Sequence, residues 1–330
     1  MLPPVAALLF CAARLQAQVD PLPSWHDGDA KKAIISFVLA TTVENSVKFV
    51  PVEARIAVFD QDGTTWVEQP MYAQLMFAFH QVGVLAAKEG GMREREPFKA
   101  VLSGRPSAIA KLTQPDLERI VAATHTGMSV ETFTRTVRNW IATAKHPRFH
   151  RLHTQLVYQP MLEVMKYLRD NGYKTYLVTG GGQDFVRAYS EAVYGIPPEQ
   201  VVGSAADTRF AYDRDGNALL IKEPRTLLID DKAGKPVGIH LMIGRRPVIA
   251  FGNSAGDQQM LEYTHAGPGP RLAVLVLHDD ANREYAYGPA TGLPRSKVGT
   301  FPQSLFDQAI RKDWIVISMK NDWKRIFPPD

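Results

Sequence analysis

Apolar residues follow two rhythms along this chain. Short apolar runs at 56–59, 174–178, 247–251 and 272–277 are bounded by Gly, Pro or polar residues. That pattern predicts short strands buried on both faces. Elsewhere apolar residues recur every three or four positions. Ile34, Phe37, Val38, Val43 and Val47 predict a helix over 29–48, and similar spacing predicts helices over 72–87, 97–102, 115–124, 129–144 and 161–171. Glycines at 90–91, 104 and 127 break the series, Thr113 and Ser129 can cap helix N-termini, and Gly172 can end a helix. Further helices are expected over 184–194, 237–243 and 258–264. A hairpin is expected around Asp213-Arg214-Asp215-Gly216-Asn217, and an edge strand over 314–319.

Strands and helices alternate before residue 65 and again after about 153. The stretch 66–152 contains helical patterns and no good strand. The expected fold class is therefore α/β, with a parallel sheet built from 19–65 and 153–330 and an inserted all-helical cap over 66–152.

Composition changes this picture little. The chain has 330 residues, 45% apolar and 22% charged, which suits an ordinary buried core. Its net charge is +4, without a dense Lys/Arg block interleaved with aromatics. Nucleic acid is thus not an expected partner; a small anionic substrate suits the basic balance. Residues 1–18 read as a signal peptide cut near Ala17, although no Lys or Arg precedes the apolar run. A periplasmic or secreted location follows, or a cytoplasmic one if the segment is not a signal. Its removal takes away Cys11, the only cysteine, and with it any disulfide or thiolate metal site. No stretch is long enough to predict stable membrane insertion.

The chemistry sits at three strand ends. The first is Asp60-Gln61-Asp62-Gly63-Thr64, where two carboxylates one residue apart meet a turn. The second is Thr179-Gly180-Gly181-Gly182 before a helix, a loop suited to binding phosphate through backbone N–H groups and a hydroxyl. The third is Gly252-Asn253-Ser254-Ala255-Gly256-Asp257. A lysine, Lys232 or Lys235, lies between the last two. This set suits displacement at phosphorus. One carboxylate attacks, the other moves a proton, Thr179 and the lysine hold phosphoryl oxygens, and a hard divalent cation offsets the charge.

In order and spacing, these four segments resemble the four motifs of the haloacid-dehalogenase-like (HAD) hydrolase superfamily. The helical stretch resembles the C1 cap of its phosphoserine-phosphatase-like branch. The resemblance implies a Rossmann-like core, phosphatase activity on a small phosphorylated substrate, and Mg²⁺ dependence. It implies Asp60 as nucleophile and Asp62 as general acid/base. It also implies metal contacts from Asp60, the Asp62 main-chain carbonyl, Asn253 and Asp257, with substrate contacts from Gly180, Gly181 and Glu68. Lys235 fits the third motif better than Lys232. Where the family's fourth motif usually opens Gly-Asp, this chain has Gly252-Asn253, so weaker metal binding is expected.

Glu68 is open to two readings: a contact to the substrate at the cap interface, or an exposed residue at a helix start. Trp66 and Tyr72 are expected in core packing ahead of the alternative, lining an apolar pocket, and His150 and His153 on the surface at the cap hinge. A dehalogenase does not need Asp62. A phosphomutase or phosphotransferase shares both Asp residues, and a catalytically weak phospho-ligand binding protein is the remaining alternative, with Asn253 as its lesion.

Overall fold

The computed structural model describes residues 20–329; the expected signal peptide and Cys11 lie outside them. Seven strands form one sheet: β1 (Ile56–Phe59), β2 (Lys174–Gly182), β3 (Val201–Tyr212), β4 (Ala218–Leu228), β5 (Ile249–Gly252), β6 (Leu272–Leu277) and β7 (Ile315–Ser318). Their order is β4-β3-β2-β1-β5-β6-β7, parallel throughout except for the antiparallel β3–β4 hairpin. β1 is central, so its C-terminal end meets loops from both sides of the sheet, where open α/β sheets bind ligands.

Side-chain alternation explains the layering. Ala57 and Phe59 of β1 face one hydrophobic cluster with Ile34, Val38, Met161, Val164 and Leu168. Ile56 and Val58 face the other, with Ile239, Met260, Leu261 and Leu305. Helices therefore cover both faces, and the central strands are apolar at nearly every position. The Phe59 and Phe251 rings stack across β1 and β5 at 4.5 Å.

Several boundaries differ from the sequence pattern. The first helix is Asp29–Thr42, and Val43 and Val47 are exposed beyond it. The helix expected over 184–194 is two short ones, Gln183–Arg187 and Ser190–Tyr194. The hairpin is longer than its turn suggested. Val201, Val202 and Gly203 begin β3 as a parallel core strand beside β2, and the chain then continues outward to pair with β4.

Within the stretch 66–152 the main helices are Ala73–Ala86, Gln114–His125 and Val130–Ile141. Thr113 and Ser129 cap the last two: Thr113 accepts from Asp116 N and Ser129 from Thr132 N. Ala78, Val82, Ala86, Met92, Val101 and Ile120 form a small cluster of their own. Phe77, Phe133, Val137 and Ile141 instead join the main core. β4 grips this segment from the side: Gly127 N donates to Lys222 O at 2.8 Å, and Lys222 N donates to Met128 O at 2.9 Å. Among the described residues, no helix is long and apolar enough to cross a membrane.

Phe251→Ala removes one ring of the stacked pair from a fully buried position. It should lower stability by about 3–5 kcal/mol, read from urea unfolding.

Candidate active site

β1 ends at Phe59, and the Asp60 amide still donates to Phe251 O of β5 at 2.9 Å. The chain then turns, and Gly63 adopts φ +80°. A Cβ on Gly63 would stand 2.1 Å from Asn253 Nδ2 and 2.3 Å from Glu68 Oε1, so this turn requires glycine for both its conformation and its neighbours.

Lys235 lies in the first turn of helix Gly234–Ile243 and is 1% exposed. Its Nζ donates to Asp60 Oδ1 at 2.5 Å, Asp257 Oδ1 at 2.6 Å and Val178 O at 2.9 Å. All three ammonium protons are thus used, and the groups that take them follow or belong to β1, β2 and β5. Lys232 is exposed, and only its main-chain amide is seen to reach the Asp257 loop, donating to Gly256 O at 3.0 Å. Asp257 Oδ2 accepts from Asn253 N, Ser254 N and Ser254 Oγ at 2.9–3.1 Å. Both Asp257 oxygens are therefore engaged, one on the lysine and one on its own loop.

Burial opposes the charge on Lys235, but Asp257 and Asp60 outweigh it and hold its pKa above the ordinary value. Burial and the Asp257 charge push Asp60 up to about 8 against the pull of Lys235. The site thus carries more carboxylate than one ammonium balances.

Asp62 Oδ1 accepts from Trp66 Nε1 at 2.7 Å. Burial raises Asp62 to about 6, partly offset by that indole donor and by Lys235. Trp66 is a buried ring stacked near Tyr189, as core packing would have it, but it also orients Asp62. Tyr72 differs from the core expectation: it is 37% exposed and lines the cleft.

Thr179 Oγ1 accepts from Gly181 N at 3.0 Å, which leaves its hydroxyl proton to donate into the cleft. The Gly181 amide is thereby occupied. The Gly182 amide donates to Gln74 Oε1 at 2.7 Å, and Gly180 is exposed at the rim.

Glu68 is not an exposed helix-start residue. It is 2% exposed, and its Oε1 accepts from Asn253 Nδ2 and from Tyr287 OH, each at 2.7 Å. Burial pushes it well above the ordinary carboxylate range, against those two donors, and the charges of Asp62 and Asp60 add to the rise.

Thr64 Oγ1 stands 3.1 Å from both Asp60 Oδ2 and Asn253 Oδ1. A hydroxyl has one proton, so it can satisfy only one of these oxygens. Among the described residues, no three His, Cys, Asp or Glu side chains are grouped to hold a metal. The convergent donors are instead the Asp60 carboxylate and the Asn253 amide oxygen, and the resemblance adds the Asp62 main-chain carbonyl. Hard oxygens lacking a full set of proton donors, in a site with surplus negative charge, fit Mg²⁺.

The histidines fall elsewhere. His153, expected on the surface, is buried among the rings of Trp66, Trp140 and His146, and burial lowers it to about 4. The hinge expectation missed these rings because all three come from the segment 66–152. His150 is exposed. His125 faces the cleft beside Gln74, and burial lowers it to about 3. His278 Nε2 lies 2.7 Å from Gly63 O, with Glu284 at its Nδ1, and so braces the carboxylate turn from behind. The sequence carries no local sign of this brace.

A cleft of about 900 Å³ runs from Asp60 and Asp62 past Gln74, His125 and Phe133 to Lys222 and Glu223 of β4.

The chain belongs to the haloacid dehalogenase-like hydrolases: the model of that family matches residues 57–262, from β1 to the helix after the Asn253 loop. No curated protein sequence matches the chain. Among solved structures, it is similar to a conserved functionally unknown protein from Anaerococcus prevotii, at 14% identity and TM-score 0.55, covering 80% of this chain and 89% of that one. A protein with unknown function from Bordetella pertussis matches at 15% identity and TM-score 0.49, covering 80% and 97%. A phosphoserine phosphohydrolase-like protein from Francisella tularensis matches at 14% identity and TM-score 0.37, covering 68% and 88%. The Anaerococcus likeness speaks to fold alone.

Gly63→Ala should lower stability by about 1–3 kcal/mol through backbone strain, with the Asn253 and Glu68 contacts adding to it. The urea midpoint measures this.

Proposed function

We propose that this chain is a Mg²⁺-dependent phosphomonoester hydrolase that works through an aspartyl-phosphate on Asp60. The observation that supports it most is the Asp60 carboxylate fixed on Lys235 at the end of β1, with a second, separately oriented carboxylate two residues on.

An Asp60 oxygen attacks phosphorus, and the bond to the leaving oxygen breaks. Asp62, raised toward neutrality by burial, gives that oxygen its proton. Asp62 then takes a proton from water, whose oxygen attacks phosphorus and releases phosphate and the Asp60 carboxylate. The Thr179 hydroxyl donates to a phosphoryl oxygen. Lys235 holds the nucleophile in line, and Asp257 holds Lys235. Asp60, Asn253 and the Asp62 carbonyl would hold Mg²⁺, which would supply the charge that lets an anionic nucleophile meet a phosphate dianion.

The helical stretch 66–152 acts as the cap over this reaction, with Gln74 and His125 on the wall facing the leaving group. A cleft of about 900 Å³ accommodates leaving groups of varied size, which favours broad specificity. Export rests on residues 1–18 alone.

The purified protein should hydrolyse p-nitrophenyl phosphate with Mg²⁺, and EDTA or Asp60→Asn should remove at least about 10³-fold of the rate. Full activity in Asp60→Asn would overturn the assigned nucleophile. With Asp60 kept ionised by bound Mg²⁺, kcat/KM for alkyl phosphates should fall above about pH 6, because only protonated Asp62 can donate. The nitrophenolate group leaves without a proton and should flatten that limb. Trp66→Phe removes the donor that favours ionised Asp62, so the limb should move to higher pH.

A further inference from the structure

Asn253 has two unlike ends, and only one can serve a cation. If Nδ2 faced Asp60, an N–H group would stand where Mg²⁺ needs an oxygen. An aspartate has no such choice, since its two oxygens are equivalent. A chain with Asn at this position therefore needs something to set the amide.

The geometry points to Glu68 as that positioning residue: by accepting from Asn253 Nδ2 it turns Asn253 Oδ1 toward Asp60, and so builds the cation site. This rests on the Mg²⁺-dependent reaction proposed above. The Nδ2–Oε1 distance is 2.7 Å, and Oδ1 lies 3.1 Å from the Thr64 hydroxyl that also contacts Asp60. The reverse orientation would set an amide oxygen against the Glu68 oxygen.

Glu68 is itself held. Tyr287 OH donates to the same oxygen at 2.7 Å. Gly63 and Gly299 form the walls of its slot: a Cβ would come within 2.3 Å of Oε1 at Gly63 and 1.9 Å at Gly299. Both Asn253 and Glu68 are nearly fully buried, so water does not compete for the amide. The pairing also accounts for Asn in place of Asp. An aspartate at 253 would set an oxygen against Glu68 Oε1, where the Asn253 Nδ2 group now donates.

Calorimetric titration of MgCl₂ into the full chain, without substrate, tests this, with thermal melting in the absence of Mg²⁺ to establish that each variant folds. Glu68→Gln keeps an acceptor for Nδ2 and should bind Mg²⁺ within about threefold of the unsubstituted chain. Glu68→Met has similar bulk and no such acceptor, and should bind about tenfold more weakly, the loss of one buried hydrogen bond. Combining Glu68→Met with Asn253→Asp should restore binding to within about threefold, because an aspartate needs no orienting partner.

Equal affinity in Glu68→Met and the unsubstituted chain would overturn the inference. So would a loss in Glu68→Gln as large as in Glu68→Met, which would make charge the cause. Should Glu68→Met alone not fold, the double variant decides: near-normal binding supports the inference, and tenfold weaker binding overturns it. An unsubstituted chain that binds no Mg²⁺ would overturn the metal-dependent reaction and this inference together. Normal binding unaffected by residue 68 would overturn the inference alone.

Discussion

One buried ammonium holds this site together. Lys235 gives its three protons to Asp60 after β1, to Val178 O on β2 and to Asp257 after β5. Removing a charge from such a group leaves the remaining ions buried and uncompensated, which costs far more than a surface ion pair. The lysine therefore does two things at once. It closes the C-terminal edge of the sheet, and it fixes the direction of the Asp60 carboxylate. Asp257 serves that purpose with one oxygen and the Asn253 loop with the other.

Around this anchor, each acidic group has a partner suited to a different task. Asp60 has the lysine, Asp62 has the Trp66 indole, and Glu68 has Asn253 and Tyr287. Two carboxylates two residues apart thus sit in unlike surroundings, the arrangement that separates a nucleophile from an acid. The His278 ring behind Gly63 and the Gln74 amide on Gly182 brace the two loops from opposite sides. The β3–β4 hairpin does the same for the helical segment, through backbone bonds at Lys222.

Much of this was legible in the sequence because it is local. β1 and β6 follow from uninterrupted apolar runs, and the paired carboxylates announce themselves beside Gly63. Other features were not legible because they depend on distant chain. Val201 and Val202 fall in none of the strands the pattern predicts and form a core strand because β2 lies beside them. Glu68 stays open between a substrate contact and an exposed helix start until Tyr287, 219 positions later, folds back onto it. His278 meets Gly63 across 215 positions. Trp66 shows its apolar ring in the pattern, but not the direction of its N–H. The helix Gln303–Arg311 lies outside every helix the sequence pattern predicts.

The central claim is that Asp60 takes the phosphoryl group, and trapping that bond tests it directly. Borohydride reduces an acyl phosphate, so the enzyme would be quenched during turnover, reduced, digested and read by mass spectrometry. The account predicts homoserine in place of Asp60, dependent on substrate. Conversion at Asp62 or Asp257 instead, or an unmodified Asp60 while phosphate is being released, would contradict it.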